Sequence, residues 1–218
     1  MTPYYSHDGI VIYNADYREA LPSCGAFDFA FTDPPYNVGK DYGGWNDAMP
    51  TDEYLAFTQE WITAIRKSAT KMCVYTPQKW MQEYWQMLGS EFRQIVLTFA
   101  PSGAIRYGFS NQFSSLLTDA KPIKPLRNHW HNCQLPGLGF FFRENTYGHP
   151  GYTSQEVTLR SIDGLCGEGK RIIDPFCGTG TTLYAAKQRR CTAVGCELNE
   201  AYCEISAKRL SQEVMEFA

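Results

Sequence analysis

Arg171-Ile172-Ile173-Asp174-Pro175-Phe176-Cys177-Gly178-Thr179-Gly180-Thr181-Thr182-Leu183 decides the fold. Its first four residues are a short, apolar, β-branched run that reads as a buried strand. Gly178 and Gly180 then permit a tight turn, and helical spacing follows from Thr181 to Gln188. A strand that turns through Gly-x-Gly into a helix offers backbone N–H groups at a helix N-terminus, where a ligand can approach the main chain. The next predicted strand, Cys191 to Cys196, runs into Glu197, 17 residues after Gly180. An acid there can accept hydrogen bonds from both ribose hydroxyls of a nucleoside ligand. No G-x-x-x-x-G-K-[ST] run exists, which excludes a P-loop.

The same alternation extends through most of the chain. Gly9 to Tyr13 is a β-branched run ending at Asn14-Ala15-Asp16, and Phe27 to Thr32 is an apolar strand leading into Asp33-Pro34-Pro35-Tyr36. Helical spacing covers Asp52 to Ser68, a strand Met72 to Tyr75, a helix Gln78 to Leu88 stopped by Gly89, and a strand Phe92 to Phe99. Helices are also predicted over Gln155 to Leu165 and Ala201 to Gln212. Apolar strands alternating with helices give an α/β fold, a doubly wound and mostly parallel sheet. Ligands in such sheets bind beyond the carboxyl ends of the strands, at a topological switch point. Asp16, Asp33–Tyr36 and Asp174–Gly180 all fall at predicted strand ends.

The 218 residues are enough for one domain, 1–218, that buries its own core. Hydrophobic residues at 44% and charged residues at 20% exclude global disorder. No apolar run is long enough to span a membrane, and Met1 to Asp8 lacks the features of a secretory signal. Eight cysteines without a C-x-x-C pair read as reduced, mostly buried thiols of a cytoplasmic protein. The segment Pro101 to Pro150 stands apart as an irregular, Gly/Pro-rich lobe. It carries five basic and two acidic residues, a balance of +3 on a chain whose net charge is −3, with three of the four histidines. A basic, aromatic insertion on an acidic body reads as a nucleic-acid face made by Lys121, Lys124, Arg127, His129, Trp130, His131 and Arg143. His129-Trp130-His131 lacks a distant partner pair, so no metal site is assigned. Trp61, Trp80, Tyr84 and Trp85 lie on predicted helices and are expected in the core. Cys177 lies at a helix N-terminus, where a thiol pKa can fall, and reads as a cofactor-wall side chain rather than a nucleophile.

Asp33-Pro34-Pro35-Tyr36 carries the second chemistry. Its prolines fix φ and remove two amide donors, making a stiff platform. The Asp33 carboxylate and the Pro34 carbonyl can accept both hydrogens of an exocyclic amino group, and Tyr36 offers a ring to stack on. With Asp174-Pro175-Phe176-Cys177-Gly178-Thr179-Gly180, this motif resembles the DNA amino-methyltransferases that use S-adenosylmethionine. Catalytic before cofactor motif matches their circularly permuted class, usually called beta, and the resemblance covers nearly the whole chain. Val11-Ile12-Tyr13-Asn14-Ala15-Asp16 resembles the family's early strand. Gly195-Cys196-Glu197-Leu198-Asn199 with Tyr202 and Arg209 resembles its C-terminal signature.

The resemblance implies a Rossmann-like methyltransferase fold, with Lys121 to His149 as a short target-recognition region. It implies Asp33, Pro34, Pro35 and Tyr36 as catalytic. It implies cofactor contacts from Asp16, Asp33, His149, Pro150, Thr153, Asp174, Phe176, Cys177, Gly178, Thr179, Gly180, Thr181, Glu197 and Leu198. Thr153-Ser154 stands where the family has Lys-Pro, so hydroxyls or backbone amides replace the lysine. Asp at the first catalytic position favours adenine-N6, while Asn37-Val38-Gly39-Lys40-Asp41-Tyr42 also resembles cytosine-N4 members; an RNA adenine methyltransferase is the other alternative. The resemblance implies a substrate base flipped out of DNA. A homodimer or a restriction or recognition partner would supply further surface.

Overall fold

The computed structural model describes residues 1–42, 45–98, 113–125, 129–130 and 154–212. Among these residues, nine strands form one sheet: β1 Tyr5–His7, β2 Ile10–Asn14, β3 Phe27–Thr32, β4 Ala69–Thr76, β5 Arg93–Thr98, β6 Phe113–Thr118, β7 His129–Trp130, β8 Arg171–Asp174 and β9 Thr192–Glu197. Their order is β1-β2-β9-β8-β3-β4-β6-β5-β7. From β2 to β4 every pairing is parallel; β1 and β6 run against their neighbours.

The helices are α1 Tyr17–Ala20, α2 Thr51–Ser68, α3 Met81–Leu88, α4 Gln155–Ser161, α5 Thr181–Gln188 and α6 Glu200–Ser211. They cover both faces, and the strands alternate accordingly. Phe29, Phe31, Cys73, Leu116, Ile172 and Ala193 enter the core under α4, α5 and α6. Ala30, Met72, Val74, Leu117, Ile173 and Val194 enter the core under α1, α2 and α3. The second core is strongly aromatic: Tyr17, Tyr54, Trp61 and Tyr84 are fully buried in it. Each such side chain contributes on the order of 2 kcal/mol by leaving water. Trp80 is buried as expected, but Trp85 is 44% exposed on the outer side of α3.

The predicted elements from Gly9 to Thr98 and from Gln155 onward are present within a few residues. The helix expected from Gln78 begins as a 3-10 turn, Gln78–Trp80, and α4 ends in one π-helical turn, Ile162–Cys166. The larger correction concerns Pro101 to Pro150. It is not irregular throughout, because Phe113–Thr118 is an inner strand between β4 and β5. Two serines open that strand and dilute its apolar pattern. Ser115 is nonetheless fully buried, receiving the Gln94 side-chain amide at 2.8 Å. Leu138 to Phe142 lies outside the described residues.

β2, β9 and β8 step away from the sheet centre in one direction, and β3 and β4 in the other. The switch point is therefore the seam between β8 and β3. Backbone pairing there is Phe29 with Ile172 and Ala30 with Ile173, and goes no further. Beyond it the two strand ends diverge, and both motifs singled out in the sequence begin at this gap.

Candidate active site

The gap is bridged by side chains. Thr32, the last residue of β3, donates its hydroxyl to Asp174 Oδ1 on β8 at 2.9 Å. Both residues are buried. Asp174 Oδ1 also accepts the Phe176 N–H at 3.1 Å. Thr182 hydrogen-bonds the same carboxyl, yet burial prevails and pushes its pKa up to about 7. Asp174 thus shapes the turn rather than facing solvent.

After Asp174 the chain turns through Gly178 (φ 50°) and Gly180 (φ 80°) into α5. Gly180 is required twice: by its left-handed backbone, and because a Cβ there would lie 2.0 Å from Ser206 Oγ on α6. Arg209, buried on α6, donates to the Thr179 carbonyl at 2.6 Å and reaches the Thr181 hydroxyl at 3.4 Å. Cys177 is not activated by the helix. Its thiol is buried and pushed well up by desolvation, then by Glu197 and Asp174. Its sulfur packs against Gly195, so only its backbone can face a ligand. Phe176 stands half-buried on Tyr17, Phe57 and Trp61, with ring centroids 5.5–5.9 Å apart.

Glu197 ends β9 beside this turn. Its two oxygens accept the Gly178 N–H at 3.0 Å and the Asn199 N–H at 2.8 Å, while burial raises its pKa. The carboxylate has acceptor capacity beyond these bonds for a donating hydroxyl. Leu198 beside it is 53% exposed. Asp16, at the end of the neighbouring β2, caps α1, and its carboxylate is gripped by Arg18 at 2.8 and 2.7 Å. Burial works against the charge, but Arg18 holds the carboxyl below its usual pKa. An acceptor-only acid, an exposed apolar side chain and a glycine turn at adjoining strand ends suit a nucleoside cofactor.

Across the seam, Tyr36 donates its hydroxyl to Asp33 Oδ1. Burial, and after it Asp33, raises the Tyr36 pKa well above its normal value. The Tyr36 carbonyl receives the Trp80 indole N–H at 2.8 Å, so this aromatic residue, read in the sequence as core, also braces the platform. The chain beyond is held by groups that sequence reading missed. Asp47, 3% exposed, accepts the N–H groups of Asn37, Val38 and Lys40 at 2.7–3.0 Å. Asn37, at φ 55°, exchanges two hydrogen bonds with the Met49 backbone. Only the turn-forming residues at 37–47 hinted at this in the sequence.

His149, Pro150, Thr153, Arg127, His131 and Arg143 lie outside the described residues. Lys121 and Lys124 are exposed, but Lys124 lies 3.7 Å from Asp163, an ion pair that competes with a phosphate. His129 and Trp130 form β7 at the sheet edge. The seven described cysteines are free and buried, and no group of three or more metal-ligating side chains occurs among the described residues. No helix among them is long and apolar enough to cross a membrane.

Sheet order and seam define a Rossmann-like methyltransferase fold. A solved M1.HpyAVI–SAM complex superposes with a TM-score of 0.72 at 19% identity, covering 93% of this chain and 100% of that one. The cytosine-N4-specific PvuII DNA methyltransferase superposes with a TM-score of 0.72 at 15% identity, covering 98% and 90%. The family model described as DNA methylase, of the N6/N4 methyltransferase type, matches residues 27–97 and 67–208. The chain belongs to this N6/N4 DNA methylase family. It is similar to type II methyltransferase M.HpaI of Haemophilus parainfluenzae, 24% identical over 86% of this chain and 69% of the relative. It is also similar to type II methyltransferase M.ScaI of Streptomyces caespitosus, 26% identical over 97% and 84%.

Proposed function

We propose that the protein transfers a methyl group from S-adenosylmethionine to the exocyclic amino group of a DNA base, with adenine-N6 as the favoured target. The observation that carries this reading is the Thr32–Asp174 hydrogen bond. It joins the end of the strand bearing Asp33-Pro34-Pro35-Tyr36 to the end of the strand bearing the glycine turn, so both motifs start at one seam, which supports a shared site.

In this reading Glu197 accepts the ribose hydroxyls, Leu198 and Phe176 supply apolar contact, and Asp16 lies within reach of the purine. Backbone groups from Cys177 to Thr181 line the methionine side, and His149, Pro150 and Thr153 complete it. When bound, the cofactor supplies a methyl group already activated on a sulfonium sulfur. The chain's own task is the nitrogen. An aryl amino group is a poor nucleophile because its lone pair is delocalised into the ring. Asp33 and the Pro34 carbonyl accept its two hydrogens, which favours a tetrahedral nitrogen with a localised lone pair, an interaction strongest in the transition state. The Tyr36 hydroxyl that now occupies Asp33 Oδ1 gives way to, or shares the carboxylate with, the incoming amino group. The Tyr36 ring stacks on the flipped base.

The test is tritium transfer from labelled S-adenosylmethionine to unmethylated DNA, followed by digestion to nucleosides and mass identification. N6-methyladenine is the expected product. N4-methylcytosine would keep the mechanism and change the pocket. Transfer to RNA or protein with none to DNA would overturn the reading.

A further inference from the structure

Between the glycine turn and the catalytic platform stands Asn199, the first residue beyond Leu198 and the cap of α6. Its backbone N–H donates to Glu197 Oε1 at 2.8 Å. Its side-chain oxygen accepts the Ala201 N–H at 3.0 Å, capping the helix. Its side-chain nitrogen donates to the Tyr42 carbonyl at 3.1 Å. Tyr42 belongs to the segment that follows the catalytic motif. The near part of that segment is fastened to Asp47 and Met49. The Tyr42 hydroxyl lies within the electrostatic reach of Asp33, Asp47 and Tyr202. Tyr202, one turn into α6, in turn feels Glu197 and Asp41.

We propose that Asn199 is a positioning residue that transmits cofactor occupancy at Glu197 to the chain that follows the catalytic motif, residues 37–42 and 45–49. The proposal rests on the reading of Glu197 as the cofactor acid. Ribose hydroxyls donating to Glu197 share its oxygens with the Asn199 N–H, so binding fixes the carboxylate and the first turn of α6 together. The side-chain amide carries that fixation to Tyr42 and so to the chain that follows the catalytic motif. Such a link is a coupling free energy between two sites, for which about 5- to 150-fold effects are usual.

Asn199→Ser separates this role from helix capping. Serine is a comparable cap without formal charge, but it is too short to reach Tyr42. The experiment is hydrogen exchange on the full chain with and without S-adenosylhomocysteine, alongside calorimetry for its affinity. In the wild type, the ligand is expected to slow exchange in 37–49 about tenfold. In Asn199→Ser that slowing falls below about twofold, while affinity stays within about threefold and protection of 174–184 persists. Asn199→Asp, which keeps the cap and loses the donor, gives the same loss and serves if the serine variant folds poorly. Retained slowing in either folded variant overturns the proposal, as does wild-type binding without slowing in 37–49. Wild-type protein that binds no S-adenosylhomocysteine overturns the reading of Glu197 itself, and the proposal with it.

Discussion

At the scale of single residues, Asp33 and Asp174 are two carboxylates with separate work. Asp33 is the acceptor in the proposed transfer. Asp33→Ala is expected to lower the transfer rate by at least about 10²–10³-fold and to leave S-adenosylhomocysteine affinity within about threefold; equal loss of both would remove its catalytic role. Asp174 is a structural acid whose pKa rises from 3.8 to about 7 on burial. Its sign follows from linkage. The folded protein holds the proton more tightly than the unfolded chain, so this contribution to stability is full below pH 4 and is lost as pH rises through 7. In Asp174→Asn the amide oxygen can still accept from Thr32 and Phe176, and the titration is gone. Urea midpoints from pH 4 to 8 should therefore fall more steeply in the wild type than in Asp174→Asn. Parallel curves would assign the pH dependence to other groups.

At the scale of elements, two side-chain ties hold the site together. Arg209 reaches from α6 to the Thr179 carbonyl inside the glycine turn. Arg209→Leu leaves that buried carbonyl without this donor, a loss of about 1–3 kcal/mol, and loosens the turn. Denaturation should show the stability loss, and a cofactor titration should show a weaker Kd. An unchanged Kd would place Arg209 in stability alone. Thr32→Val removes the β3–β8 bridge at nearly constant volume, and the Asp174 carboxyl loses one of its donors. Transfer should slow more than cofactor binding weakens, measured as a change in kcat exceeding the change in Kd. Equal changes would mean that the bridge only holds the fold.

The elements also show what was legible in the chain. Strands β3 and β8 and helix α5 were plain, because apolar runs met turn residues at their ends. Strand β6 was hidden, since Ser115 is buried in it through a hydrogen bond rather than by hydrophobicity. The tie from Asn199 to Tyr42 spans 157 residues and has no local signal. Asp47 looked like one more loop acid, and its role appears only when three backbone N–H groups converge on it.

At the scale of the whole molecule, the sheet order brings together motifs separated by some 140 positions, Asp33 and Asp174. Neither motif alone distinguishes a turn from a site; their meeting at one seam is what supports the proposed one. The other end of the design is quieter. Tyr4 lies within electrostatic reach of Glu200, Glu204 and Lys208, so the start of the chain runs beside α6, its last described helix. The Glu168-Gly169-Lys170 turn before β8 is exposed. A permuted gene that starts at Gly169 and joins Gln212 to Tyr4 through a linker along α6 would place the glycine turn ahead of Asp33 in the chain. Exposed turns tolerate such cuts, and the rearranged polypeptide should refold with the same circular-dichroism spectrum and transfer activity. What the sheet requires is that the two strand ends meet at the seam; which of them comes first along the chain is a separate matter.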